Sequence, residues 1–383
     1  MENHMNPMNT HTQKHKKRAL HMRLLWTIAV LCMLQPLCAN TSFAQVTYSP
    51  FSYPLAATTD SQGPTGVRGA GGQNVYVTGI WHHENIQQQN ISSGLLYVGP
   101  LSGGGNSGSW TVLNYPGAAN TSLYGPDGLP PVRVRLVGSY TLSGSSFNHG
   151  LLYEGPPNNS CNVVCWQTID FPIFGLRNTI AHSTMGGLVV GNFNTDSDPG
   201  SAFVYDIGAA SWVALPKTPL NARILTAYGI WYNGGTSYTI AGGWSDPNFP
   251  ELDQHGYLLN WDSATQTASD WTSYDFDNDH THVAISHFDG ITTDNHGGFY
   301  LTGTWEGEGR VGGLFAHIRR MPHRAFGDAH WREIFYPSSP GLDVLTTTGN
   351  TIFENNVLGI FTAIPEPTPG LLRGYLATVQ GHR

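Results

Sequence analysis

Charge is what this sequence has least of. Asp, Glu, Lys and Arg make up 11% of its 383 residues, where a soluble domain typically carries about 25%. The Ala, Glu, Lys and Leu at helical spacing that a long bundle or coiled coil needs are missing, and 44 aromatic residues are too many for a disordered chain. Cysteine is scarce as well, at four residues. No Gly-x-Ser-x-Gly elbow, phosphate loop or dinucleotide fingerprint occurs in a convincing context, so no familiar reaction is written in the chain. What is abundant is turn-forming residue: 46 Gly and 24 Pro.

Residues 1–44 have the layout of a secretory leader. Lys14, Lys16, Lys17, Arg18 and Arg23 precede an apolar run from Leu24 to Leu34, and Ser42-Phe43-Ala44 suits cleavage after Ala44. Gln35, Pro36 and Asn40 interrupt the run well short of the ~20 apolar residues a membrane span requires. The expectation is a secreted or periplasmic protein, with residues 45–383 as one domain. That mature chain keeps 13 Lys+Arg against 25 Asp+Glu, a net charge of −12. Such a surface repels phosphate backbones and anionic headgroups, which argues against nucleic-acid and membrane partners. Cys161 and Cys165 are its only cysteines. They either close a small disulfide loop in an oxidising compartment or remain free or metal-binding thiols, and the disulfide is the expectation.

The mature chain repeats itself. A short apolar run ending in Gly-x-aromatic occurs six times, at Gly79, Gly138, Gly191, Gly242, Gly303 and Gly359, with spacings of 51 to 61 residues. Each is followed by a variable loop and a second strand-like run such as GLLYVG from Gly94 or GYLLNW from Gly256. A third run begins with Trp110, Trp166, Trp212, Trp271 or Trp331, and a fourth, such as TSLYG ending at Gly125, leads into the next repeat. Four short strands per repeat with Gly, Pro, Asn and Asp between them is the pattern of a β-propeller blade. The fold class expected is therefore all-β, a six-bladed β-propeller of four-stranded antiparallel blades. The sixth repeat lacks its Trp run, whereas Tyr48 and Tyr53-Pro54 supply that pattern at the N-terminus. The N-terminal strand is expected to close the ring on Gly374–Val379, removing two exposed edges.

GLLYVGP from Gly94, WTVLNYPG from Trp110, LTAYGI from Leu225 and LVVGNF from Leu188 resemble the units of the extracellular HAF-repeat proteins. The resemblance implies a secreted, propeller-like repeat protein and transfers no catalytic residue.

Three groups of residues could carry chemistry. The innermost strands face the central channel, and aligning them on Tyr-Gly gives Arg68, Tyr124, His182, Tyr228, Asp289 and Thr348, with His287 beside Asp289. In an enzyme, Arg68, Tyr124, His182, Tyr228, His287 and Asp289 are the candidates for acid-base work on a sugar or ester; structural hydrogen bonding between strands is the plainer role. The aromatics after the repeat glycines either pack between blades or offer stacking platforms to sugar rings, with Trp81, Trp244 and Trp305 as the candidates. Asp279, His280 and His282 form the densest polar cluster and are weak candidates for a divalent cation, which the acidic second-to-third loops could also attract. No other cofactor is expected.

The function expected is a monomeric extracellular binding or interaction module whose ligand is a glycan, another small molecule or a protein. The alternative is a polysaccharide lyase or hydrolase with its site at the mouth of the channel, and architecture alone does not choose.

Overall fold

In the computed structural model, residues 45–380 are described, apart from 86, 131, 162, 219, 249–253, 277–284 and 365–369. The leader and the cluster Asp279, His280 and His282 lie outside the described residues. The described residues are all-β, with two single-turn 3-10 helices. Among the described residues no helix is long and apolar enough to cross a membrane.

The strands form antiparallel four-stranded meanders. Ser61–Gly71, Asn74–Glu84, Asn90–Pro100 and Ser109–Val112 make the first. Asn120–Leu129, Arg133–Thr141, His149–Gly155 and Trp166–Thr168 make the second, and Leu176–Met185, Leu188–Thr195, Ser201–Asp206 and Ser211–Ala214 the third. Three further meanders, beginning with Ile224–Gly234, Ile285–Thr293 and Asp343–Phe353, join into a twelve-stranded sheet through single parallel pairings, Gln254 with Ile285 and Val311 with Thr346. The last meander takes its fourth strand from the other end of the chain. Val46–Pro50 pairs antiparallel with Tyr375–Val379, slightly upstream of the expected Tyr48–Pro54.

The third strand of each unit is buried on both sides, as in Leu95, Leu96 and Tyr97 or Tyr257, Leu258 and Leu259. That is why these runs read as continuous apolar sequence rather than alternating. Each hydrophobic cluster is shared by two successive units: Leu96 and Leu113 of the first pack with Leu136 and Leu151 of the second, and so on round to Leu358 and Leu376 of the last with Val67 and Val77 of the first.

The repeat glycines have one cause. A Cβ at Gly242 would strike the Thr226 carbonyl oxygen, and one at Gly303 the His287 carbonyl oxygen. The same backbone approach recurs at Gly79, Gly138, Gly191 and Gly359. In every unit the glycine pairs with an inner-strand residue that immediately precedes a break in register. The motif therefore marks a β-bulge on the neighbouring strand.

The aromatics two residues after those glycines stack on an aromatic from the preceding unit. Tyr140 lies on Tyr115 and Phe193 on Phe171, both with centroids 3.8 Å apart, and Phe361 on Tyr336 at 4.0 Å. Trp305 stacks on Phe276 at 5.5 Å, and Tyr53 meets Trp81 edge-on at 5.3 Å. Each partner follows its Trp or Tyr48 by five residues; after Trp212 that position is Lys217, which instead pairs with Asp198.

Candidate functional site

The six register breaks release one residue from each inner strand: Thr65, Tyr124, His182, Tyr228, Asp289 and Asn350. A bulge re-aims a side chain out of the ladder. All six converge on one cavity of about 280 Å³, completed by His287, Thr304, Thr348 and Ile360. The sequence alignment finds Tyr124, His182, Tyr228, His287, Asp289 and Thr348 but misses Thr65 and Asn350. The signal for both was present: Thr65 lies 14 residues before Gly79, as Tyr124 does before Gly138, and Asn350 lies 9 before Gly359, as His182 does before Gly191.

Arg68 requires a correction, because it does not line this cavity. It sits three residues deeper on the first inner strand and is buried, with Nη2 donating to the Ile230 carbonyl at 2.7 Å and Ser183 Oγ at 3.3 Å. Its Nη1 donates to the Val67 carbonyl at 3.0 Å, and the guanidinium lies 5.6 Å from the Trp231 ring. The side chain reaches from the first inner strand to the inner strands of the third and fourth units, a structural cross-tie.

Along one wall the rings run Tyr124, His182, Tyr228, His287, with successive centroids 5.0, 4.6 and 5.7 Å apart. The two imidazoles are shifted in opposite directions. Burial drives His182 down to about 4, so it is neutral at pH 7. Its Nε2 lies 2.6 Å from Asn192 Oδ1, which fixes the proton on Nε2 and leaves Nδ1 as an acceptor. Burial also acts against charge on His287, but Asp289 outweighs it and raises the group above its ordinary 6.5. His287 Nδ1 is 3.4 Å from Asp289 Oδ2, an ion-pair distance, and makes no hydrogen bond among the described residues. Thr304 Oγ1 donates to the same carboxylate oxygen at 3.2 Å. Burial raises both phenols, Tyr228 to about 12, so both remain protonated donors at neutral pH. A neutral imidazole, a second imidazole whose protonated form Asp289 favours, one carboxylate and two phenols therefore share one concave site.

The other candidates lie elsewhere. Trp305 is fully buried, so its proposed ligand platform does not exist: Phe276 covers it and Gly312 admits its indole nitrogen edge. Trp81 is partly exposed, with His83 stacked 3.7 Å away, and Trp244 is partly exposed under His255 at 4.3 Å. Cys161 and Cys165 are joined as a disulfide, with Cα atoms 5.9 Å apart. Among the described residues no group of three or more His, Cys, Asp or Glu is placed to hold a metal ion.

No family model matches the chain, and neither does any curated protein. Solved structures with a similar course include a glycoside hydrolase (13% identity, 89% of this chain and 92% of that one, TM-score 0.38) and the polysaccharide lyase Uly1 (10% identity, 86% and 92%, TM-score 0.41). The β-propeller domain of the Trilobed protease from Pyrococcus furiosus is a third (8% identity, 83% and 95%, TM-score 0.38). At this level of likeness they assign no activity to this chain.

Proposed function

We propose that the protein is a secreted or periplasmic six-bladed β-propeller, closed by its N-terminal strand, that acts at a single central site on an extracellular glycan by proton transfer. The leader and the resemblance to HAF-repeat proteins support the location. Hydrophobic clusters passing from each unit to the next, and from the last back to the first, support the ring.

One observation carries the functional reading: six inner bulges point six mostly different side chains into one cavity, and two histidines there are pushed in opposite directions. Titratable groups driven apart in one site are the mark of an acid and a base. A cavity of about 280 Å³ holds one sugar ring, with phenol and imidazole faces to stack on and hydroxyls to bond. His182 Nδ1 accepts a proton from the substrate, His287, whose protonated form Asp289 favours, faces the developing negative charge, and a tyrosine hydroxyl protonates the departing oxygen. Among the described residues Asp289 is the only carboxylate lining the cavity. Hydrolysis by paired carboxylates needs a second one across the bond to be cut. Elimination from a uronate unit needs only the base, the cation and the acid. It removes the hydrogen beside the carboxylate, breaks the glycosidic C–O bond and leaves a C=C bond.

A binding module without turnover is the second reading, supported by the ring faces and the Thr and Asn side chains that line the cavity. Incubating the mature protein with a panel of polysaccharides separates the two. Elimination gives new chain ends carrying an ultraviolet-absorbing double bond, and hydrolysis gives reducing ends without it. Saturable binding with neither product establishes the binding module. No binding and no product across uronate-containing and neutral polymers would refute the glycan reading.

A further inference from the structure

A second concavity lies beside the first and is much larger. It has a volume of about 840 Å³, three times that of the central cavity. Asp60 and Ser61 form one side of it, Trp81, His82, His83 and Glu84 the floor, and Asn90, Ile91 and Ser92 the far side. Ser61 lines this groove and Thr65 lines the central cavity, four residues along one strand. At about 3.3 Å per residue the two sites are ~13 Å apart, within reach of a short glycan chain.

The groove is rigid where it matters. Trp81 Nε1 donates to Asp60 Oδ2 at 2.8 Å, and Asp60 Oδ2 also accepts from the Ala57 amide at 2.8 Å, so the N-terminal loop is tied to the floor. His83 stacks on Trp81 while its Nε2 lies 3.1 Å from Ser93 Oγ, and His82 Nδ1 lies 2.8 Å from Ser92 Oγ. Burial and the neighbouring His83 lower His82, leaving it neutral at pH 7. Neutral imidazole, amide, hydroxyl and carboxylate groups around an aromatic pair suit the hydroxyls and apolar ring faces of uncharged sugars.

We infer that this groove is a binding site for the neutral units of a glycan chain whose reactive unit occupies the central cavity, so that the natural substrate is a polymer carrying neutral sugars beside the reactive one. This rests on the glycan reading of the cavity. Each ring held in the groove adds contact area that a short fragment cannot make, so affinity grows with chain length.

The test uses size-fractionated oligosaccharides of two to six units from hyaluronan and rhamnogalacturonan I, which alternate uronates with neutral or N-acetylated sugars, and from β-1,4-glucan. Binding to the mature protein is measured by calorimetry, beside variants His82→Ala, Asn90→Ala and Trp81→Ala. The first two replace exposed side chains and keep the fold if Trp81→Ala does not. The inference predicts that affinity for an alternating series rises at least about tenfold from two to six units. It predicts that His82→Ala and Asn90→Ala remove this gain and leave the shortest bound fragment unaffected. Binding that is indifferent to length, or a gain that survives in both variants, overturns the groove and leaves the cavity reading standing. Failure of all three series to bind wild type overturns the glycan reading for these chemistries and the groove with it.

Discussion

The inner strands and the second strands treat the same six-fold repeat in opposite ways. On the second strands the residue after the glycine spacer is aromatic in every unit, and in five of the six it meets an aromatic of the preceding unit. On the inner strands the bulged residue is Thr, Tyr, His, Tyr, Asp or Asn. Packing between units poses the same problem six times and receives nearly one answer. The bulge positions are held by the backbone, not by their side chains, so they are free to differ and to build a site with unlike groups at each point. Repetition marks the scaffold in this molecule, and departure from it marks the chemistry.

Changes to the repeated region should cost stability, and the largest loss follows from removing the N-terminal strand. Deleting residues 45–54 strips Val46–Pro50 from Tyr375–Val379 and takes Phe51 and Tyr53 from the core. The shortened chain should aggregate or melt far below the full mature protein in calorimetry; equal melting temperatures would remove the closing role. Next comes Trp305→Ala, which empties a fully buried site and should cost about 3–5 kcal/mol in denaturant unfolding. A loss under ~1 kcal/mol would mean that the stack bears no load. Opening the disulfide by Cys161→Ser should matter less. The loop it closes spans a separation of four residues, so the loss is at most about 2 kcal/mol by loop-closure entropy.

The inner region should respond the other way. His287→Ala and Asp289→Ala remove partly exposed side chains at positions fixed by the bulge. Turnover, or binding if there is no turnover, should fall by about 10²-fold or more, with the melting temperature within a few degrees of wild type. Collapse of the fold in both variants would make these residues structural and erase the contrast between the two regions.

Most of the architecture was legible because its signals are local. The repeat glycine is forced by a carbonyl oxygen that leaves no room for a Cβ, and the Trp runs are the fourth strands. The site was legible only in part. Aligning inner strands on Tyr-Gly selects Arg68, because Arg68-Gly69 mimics the dipeptide, whereas the true marker is register. The bulged residue follows the partner of the repeat glycine, across hairpins of two lengths. Burial of Trp305 could not be read from its own motif, which Trp81 and Trp244 share. It depends on Phe276 in the preceding unit and Gly312 on the adjacent strand, and the first of these is Lys217 in the unit before Trp244.

Charge on the two histidines follows the same geometry and has opposite consequences for stability. His287 is raised, so its contribution is complete below the unfolded value of 6.5 and is lost as pH rises through the folded value. His182 is depressed from 6.5 to about 4, so the unfolded chain binds the extra proton and roughly 3 kcal/mol is lost as pH falls across that interval. Activity that needs His182 neutral and His287 protonated should therefore plateau between an acid limb near pH 4 and an alkaline limb above 6.5. The most direct test needs no substrate: an NMR titration of the imidazole protons of His182 and His287 in the mature protein, repeated in Asp289→Asn. The account predicts that His182 stays neutral to about pH 4, that His287 titrates above 6.5, and that Asp289→Asn lowers His287 more than His182. Two histidines titrating together near 6.5, unmoved by Asp289→Asn, would contradict it.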